Sequence, residues 1–128
     1  MLDQAIEMFE RVVELKPDYT NAYHNIGTYH LLQKRFFEAI EPLETALRIT
    51  PNHYEAINSL ANSYSGAGRY AEAHEMFEKA IGLWPDHGQA YYNYGMSLGN
   101  NGDDEGEIAM LKRSIEADPG FTEAYYRL

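Results

Sequence analysis

The chain is 128 residues long, carries 20 acidic against 10 basic residues for a net charge of −10, and contains no cysteine. Disulfides and thiolate metal sites are thereby excluded, and nucleic acid and anionic membrane surfaces are poor partners, because phosphate binding needs clustered Lys and Arg. No stretch is apolar for long enough to insert into and span a bilayer, and the opening residues, with Asp3 and Glu7 and no apolar run behind a basic flank, do not read as a signal peptide.

Leu2, Ile6, Phe9, Val13 and Leu15 recur at helical spacing and predict one helix within residues 1–19. From Thr20 onward apolar residues return at i, i+3, i+4 and i+7 in paired blocks, most clearly over Tyr54 to Ser65 and Ala71 to Leu83, so each pair predicts two amphipathic helices. Gly68 and Gly102 fall between blocks, where a helix end favours positive φ. Asp18, Asn52 and Asp86 are the expected N-caps of the helices that follow them. Pro42 lies inside a predicted helix and should remove one i to i−4 bond and bend it. Residues 122–128 begin one further helix.

The blocks obey a fixed period. Pro17, Pro51, Pro85 and Pro119 fall 34 residues apart, which marks one supersecondary unit copied and stacked. The full units are 20–53, 54–87 and a divergent 88–121, flanked by 1–19, a second helix without its first, and 122–128, the start of another unit. Counted from the first residue of each unit, position 8 holds Gly27, Ala61 and Gly95, position 20 holds Ala39 and Ala73, position 24 holds Leu43, Phe77 and Leu111, and position 27 holds Ala46 and Ala80. Small residues at positions 8 and 20 imply a close helix crossing.

These residues resemble the signature of the tetratricopeptide repeat, and the resemblance covers the whole chain. It implies an all-α, right-handed solenoid of antiparallel helix hairpins, about 7–8 helices including the partial ends. It also implies a non-catalytic scaffold for protein–protein interaction, holding an extended peptide or a partner helix on a concave wall of first helices. The wall positions of the family fall here on Asn21, His24, Asn25, Thr28 and Leu31, on Glu55, Asn58, Ser59, Asn62 and Ser65, and on Gln89, Tyr92, Asn93, Met96 and Gly99. That surface is neutral and rich in amides, which can donate to and accept from the main chain of a peptide.

Family members that grip carboxylate tails use two Asn, two Lys and one Arg. Asn62, Asn93 and Arg127 fall on the Asn and Arg positions, but Asn58 and Glu123 stand where Lys is needed, so that clamp is read as absent, while Arg127 stays among the expected residues of the peptide-binding groove. Asn25 and Asn93, with Ser59 between them, resemble the asparagine ladder of the O-linked N-acetylglucosamine transferase arm, which suggests the alternative of an arm of a larger enzyme. The second alternative is a structural element: the ends lack a polar outer face, and end-to-end self-association or membership of a longer array is expected.

No catalytic, cofactor or metal set is expected. Asn101 to Ile108 imitates the start of a calcium loop, but Lys112 occupies the place of the bidentate acid. His53 and His87 share position 34 and lack a third ligand. Trp84 is expected to cover its loop or to make an outer contact. In the divergent unit Glu107 replaces Ala at position 20, and the expected result is a loosened hairpin whose Glu107 turns outward to solvent. The compartment is left open, with the cytoplasm favoured.

Overall fold

The computed structural model describes residues 2–15 and 19–128, so Pro17 and the capping role expected of Asp18 lie outside the described residues, as do the side chains of Leu2 and Val13. Among the described residues the apolar spacing yields eight helices and no strand. They are α1 (Leu2–Leu15), α2 (Thr20–Leu32), α3 (Phe36–Ile49), α4 (Tyr54–Gly66), α5 (Tyr70–Leu83), α6 (Gly88–Asn100), α7 (Asp104–Ala117) and α8 (Thr122–Arg127). Helix α3 runs through Pro42 without a break.

The turn inside each hairpin has the same construction. Lys34, Gly68 and Gly102 take φ of 59°, 81° and 87°, and the next amide reaches back to close the helix end: Arg35 N to His30 O at 2.9 Å, Arg69 N to Tyr64 O at 2.8 Å, and Asp103 N to Leu98 O at 2.8 Å. This left-handed residue with a six-to-one bond is a Schellman stop. Glycine suits it in two hairpins; in the first, Lys34 takes the same conformation, which the sequence pattern did not indicate.

The helix starts correct one expectation. Asn52 and Asp86 lie in the turn before the cap, and the caps are His53 and His87, one residue later. His53 Nδ1 accepts from Ala56 N at 3.1 Å. Asp103 caps α7 by accepting from Gly106 N at 2.9 Å.

Each hairpin buries its apolar stripe against the next, so the core is a ribbon running from Ala39, Ile40 and Leu43 through Ile57, Leu60 and Ala61 to Phe77, Tyr94 and Leu98. Phe77 and Tyr94 stack across the junction of units two and three, with ring centroids 5.3 Å apart. At the crossings position 8 meets positions 20 and 24. A Cβ on Gly27 would lie 2.4 Å from Leu43 Cγ, and one on Gly95 would lie 3.2 Å from the Glu107 carbonyl oxygen. Ala61 and Ala73 are both fully buried.

Successive first helices touch, α2 with α4 and α4 with α6, whereas second helices of neighbouring units do not approach as closely. First helices therefore form the tighter, inner wall, and gaps open between second helices on the outside.

Candidate interaction surface

The inner wall is carried by α2, α4, α6 and α8. Asn21, Glu55 and Gln89 stand exposed at its edge, and His24, Asn25, Thr28, Leu31, Ser59, Asn62, Ser65, Tyr92, Asn93, Met96 and Gly99 are half-buried along it. Among the described residues the carboxamides of Asn25 and Asn62 make no hydrogen bond to protein. Gln89 Nε2 donates to Asn93 Oδ1 at 2.9 Å, which ties those two together on the wall of α6.

Two expected wall residues are otherwise engaged. Asn58 is 7% exposed, so it belongs to the helix packing rather than to the open surface. Its Nδ2 donates to Tyr54 O at 3.4 Å, while Oδ1 is buried without a partner. Arg127 is exposed, but its Nε donates to Glu107 Oε2 at 3.0 Å. Among the described residues the one Lys or Arg of the inner wall is thus held by a carboxylate of the chain itself, which removes the last cationic element of an anion clamp.

Glu107 also departs from the outward turn expected of it. Its side chain is 15% exposed, and Oε1 lies over Gly99, where a Cβ would come within 2.2 Å of it. The missing side chain at position 12 makes the space, and α8 supplies the counter-charge. Burying a carboxylate at a crossing is tolerable when a fixed cation receives it. Helices α6 and α7 remain in close contact along their length, so the expected loosening of this hairpin is not found.

A row of rings along the ends of the first helices was not anticipated. The His24 ring lies 5.1 Å from His53, Tyr54 meets Trp84 at 4.9 Å and His87 at 4.5 Å edge-on, and Tyr92 meets Phe121 at 5.6 Å. Trp84 thereby covers the loop after α5. The signal was present at position 34, where the units carry Tyr19, His53, His87 and Phe121, all ring-bearing. Burial, reinforced by the neighbouring His53, holds the His24 imidazole below its usual pKa, and Glu55 opposes this.

Tyrosines bind the units together on the opposite side. Tyr64 Oη donates to Glu44 Oε2 at 2.8 Å and Tyr94 Oη to Glu78 Oε1 at 2.9 Å. Burial and then the accepting carboxylate push both hydroxyls up to about 12. Among the described residues no group of His, Cys, Asp or Glu is arranged to hold a metal ion, and no helix is long and apolar enough to cross a membrane.

Stacked antiparallel hairpins, each in contact only with its neighbours and leaving a polar inner wall, define a helical-repeat scaffold. The tetratricopeptide-repeat pattern matches residues 18–86, with further matches at 58–120 and 1–19, and the chain belongs to that family. Repeats of this kind serve protein–protein interaction and are generally non-catalytic. No curated relative matches the chain. Among solved structures, the crystal structure of MamA superposes with a TM-score of 0.86 at 23% identity, over 97% of this chain and 72% of that one. MamA residues 41 to the end from Desulfovibrio magneticus RS-1 give 0.85 at 16%, over 99% and 72%. TTC0263, a thermophilic tetratricopeptide-repeat protein of Thermus thermophilus, gives 0.86 at 17%, over 98% and 70%. At these identities the likeness is one of fold.

Proposed function

We propose that the inner wall of α2, α4 and α6 holds an extended peptide of a partner protein, without catalysis. The observation that supports this most directly is the pair of half-buried carboxamides, Asn25 and Asn62, that find no partner within the chain. Their amide atoms reach solvent and are free to bond, and a peptide main chain offers both the donor and the acceptor that Asn can use. Tyr92, backed by Phe121, adds a rigid ring at one end. With Arg127 engaged by Glu107, the wall carries no free cation among the described residues, so it suits neutral peptides rather than acidic tails.

The test is fluorescence anisotropy with labelled, unstructured peptides of neutral composition. Replacing Asn62 and Tyr92 together by Ala should abolish binding while helical circular dichroism stays unchanged. Undiminished binding by that double variant would remove the wall from the reading.

A second reading, self-association through the ends, draws on exposed apolar side chains there. Met8 and Leu15 on α1 are 69% and 84% exposed, and Tyr126 on α8 is 90% exposed. Light scattering over a concentration series tests it: a rising mass supports stacking, and a constant monomer mass opposes it. The Asn62 and Tyr92 variant should leave any such assembly intact.

A further inference from the structure

Among the described residues, two grooves lie in gaps between second helices on the outer side, at the same place in the repeat, and their chemistry differs. The groove between α3 and α5, about 390 Å³, is lined by Glu44, Arg48, Tyr64 and Lys79 among others. Its charged groups have partners. Tyr64 donates to Glu44, Lys79 Nζ donates to Pro51 O at 3.1 Å, and Arg48 donates to Thr45 Oγ1 at 2.7 Å, a residue that lines the other groove.

The groove between α1 and α3, about 410 Å³, is lined by Glu10, Glu38 and Glu41 and by no Lys or Arg. The donors that satisfy the neighbouring groove are replaced here. Glu10 keeps the place of Glu44, but His30 stands for Tyr64, so Glu10 has no hydrogen-bonded partner among the described residues, and His30 Nδ1 is buried with none. Thr45 stands for Lys79, and Glu14, which does not line the groove, for Arg48.

Two further features add acceptors and aromatic surface. Pro42 has no amide hydrogen, so the Glu38 carbonyl four residues earlier lacks its helical donor in this same wall. Phe37, 68% exposed, and the half-buried Tyr23 present rings at the rim. Carboxylates, a carbonyl without its helical donor and ring faces all favour a cation with N–H donors and an apolar stem. Among the described residues no group is arranged to hold a metal ion, and a basic side chain of a protein carries both the donors and the stem.

We propose that this outer groove receives Lys or Arg side chains of a basic segment of a partner protein, at a site separate from the inner wall. Helix-in-groove docking, with the cations of a basic helix set against Glu38 and Glu41 and its apolar face against Phe37, fits the arrangement. The occupant is chosen by charge complementarity, since the equivalent groove one unit later already holds two bases of its own.

The probe is a synthetic amphipathic helix of Leu and Lys, followed by fluorescence anisotropy and by amide shift mapping on the full chain. Glu38 and Glu41 are exposed, so neutralising both to Gln should preserve the fold. Glu72→Gln with Glu75→Gln makes the same charge change at the same repeat positions of the second unit. The expected result is about a tenfold loss of affinity for the E38Q/E41Q variant and less than twofold for E72Q/E75Q, with shifts concentrated at Tyr23, His30, Phe37 and Thr45. Equal losses in the two variants would overturn the proposal, as would no binding to the wild-type chain or shifts confined to Asn25, Asn62 and their neighbours on the inner wall.

Discussion

In the second hairpin the crossing of α4 and α5 is dry: Ala61, Ala73, Phe77 and Ala80 are fully buried and bring no polar side-chain atom into it. In the third, the same places on α7 hold Glu107, Leu111 and Ser114, yet α6 and α7 pack closely. Each intruding polar group has its own answer. Glu107 fits over Gly99 and meets Arg127, and Ser114 Oγ donates to the Gly88 carbonyl at 2.8 Å. The comparison teaches that a close crossing demands small volume and satisfied atoms rather than apolar residues as such.

The sharpest way to break the comparison is to move the carboxylate. Ala73→Glu places it where Ser65 stands in place of Gly99 and Asn93 in place of Arg127, so it has neither space nor counter-charge. A loss of about 3 kcal/mol or more is expected in urea unfolding. Ala73→Leu in the same dry crossing should cost about 1–3 kcal/mol by overpacking, read as a lowered thermal midpoint. In the third hairpin Ser114→Ala leaves the Gly88 carbonyl without its buried donor and should cost about 1 kcal/mol. Glu107→Ala frees an arginine that is already half exposed and should change stability by less than about 1 kcal/mol.

Titration compares the hairpins where they are alike. Tyr64 and Tyr94 should ionise near 12, against the ordinary 10.0, and Tyr64→Phe should remove one late step from the ultraviolet titration. Above about 10 the unfolded chain gives up tyrosyl protons that the folded one retains. Stability should therefore fall as pH rises through that window. His24 has the opposite sense: its folded pKa lies below 6.5, so the unfolded chain binds the proton first and stability should decline as pH drops below that value. His24→Gln should flatten that decline in urea melts between neutral and mildly acidic pH.

The repeat period, the helix blocks, Gly68 and Gly102 were legible because each depends on local chemistry that recurs every 34 residues. Lys34 was not, since a lysine carries no mark of a left-handed conformation that the Schellman closure imposes on it. The inner-wall residues are assigned from repeat position alone, and most of them are half-buried or exposed. Asn58 and Arg127 depart from that assignment because position says which face a residue is on but not what it bonds: Asn58 turns to its own helix, and Arg127 is claimed by a residue 20 positions earlier. Glu107 was read without Gly99 and Arg127 because its answer comes from two other helices.

The most direct test of this account rebuilds the third crossing inside the second. Adding Ser65→Gly and Asn93→Arg to Ala73→Glu supplies the gap and the cation, and urea unfolding of the triple variant should recover at least half of the stability lost by the single one. A triple variant no more stable than Ala73→Glu alone would contradict the claim that space and a received charge are what make the third crossing tolerable.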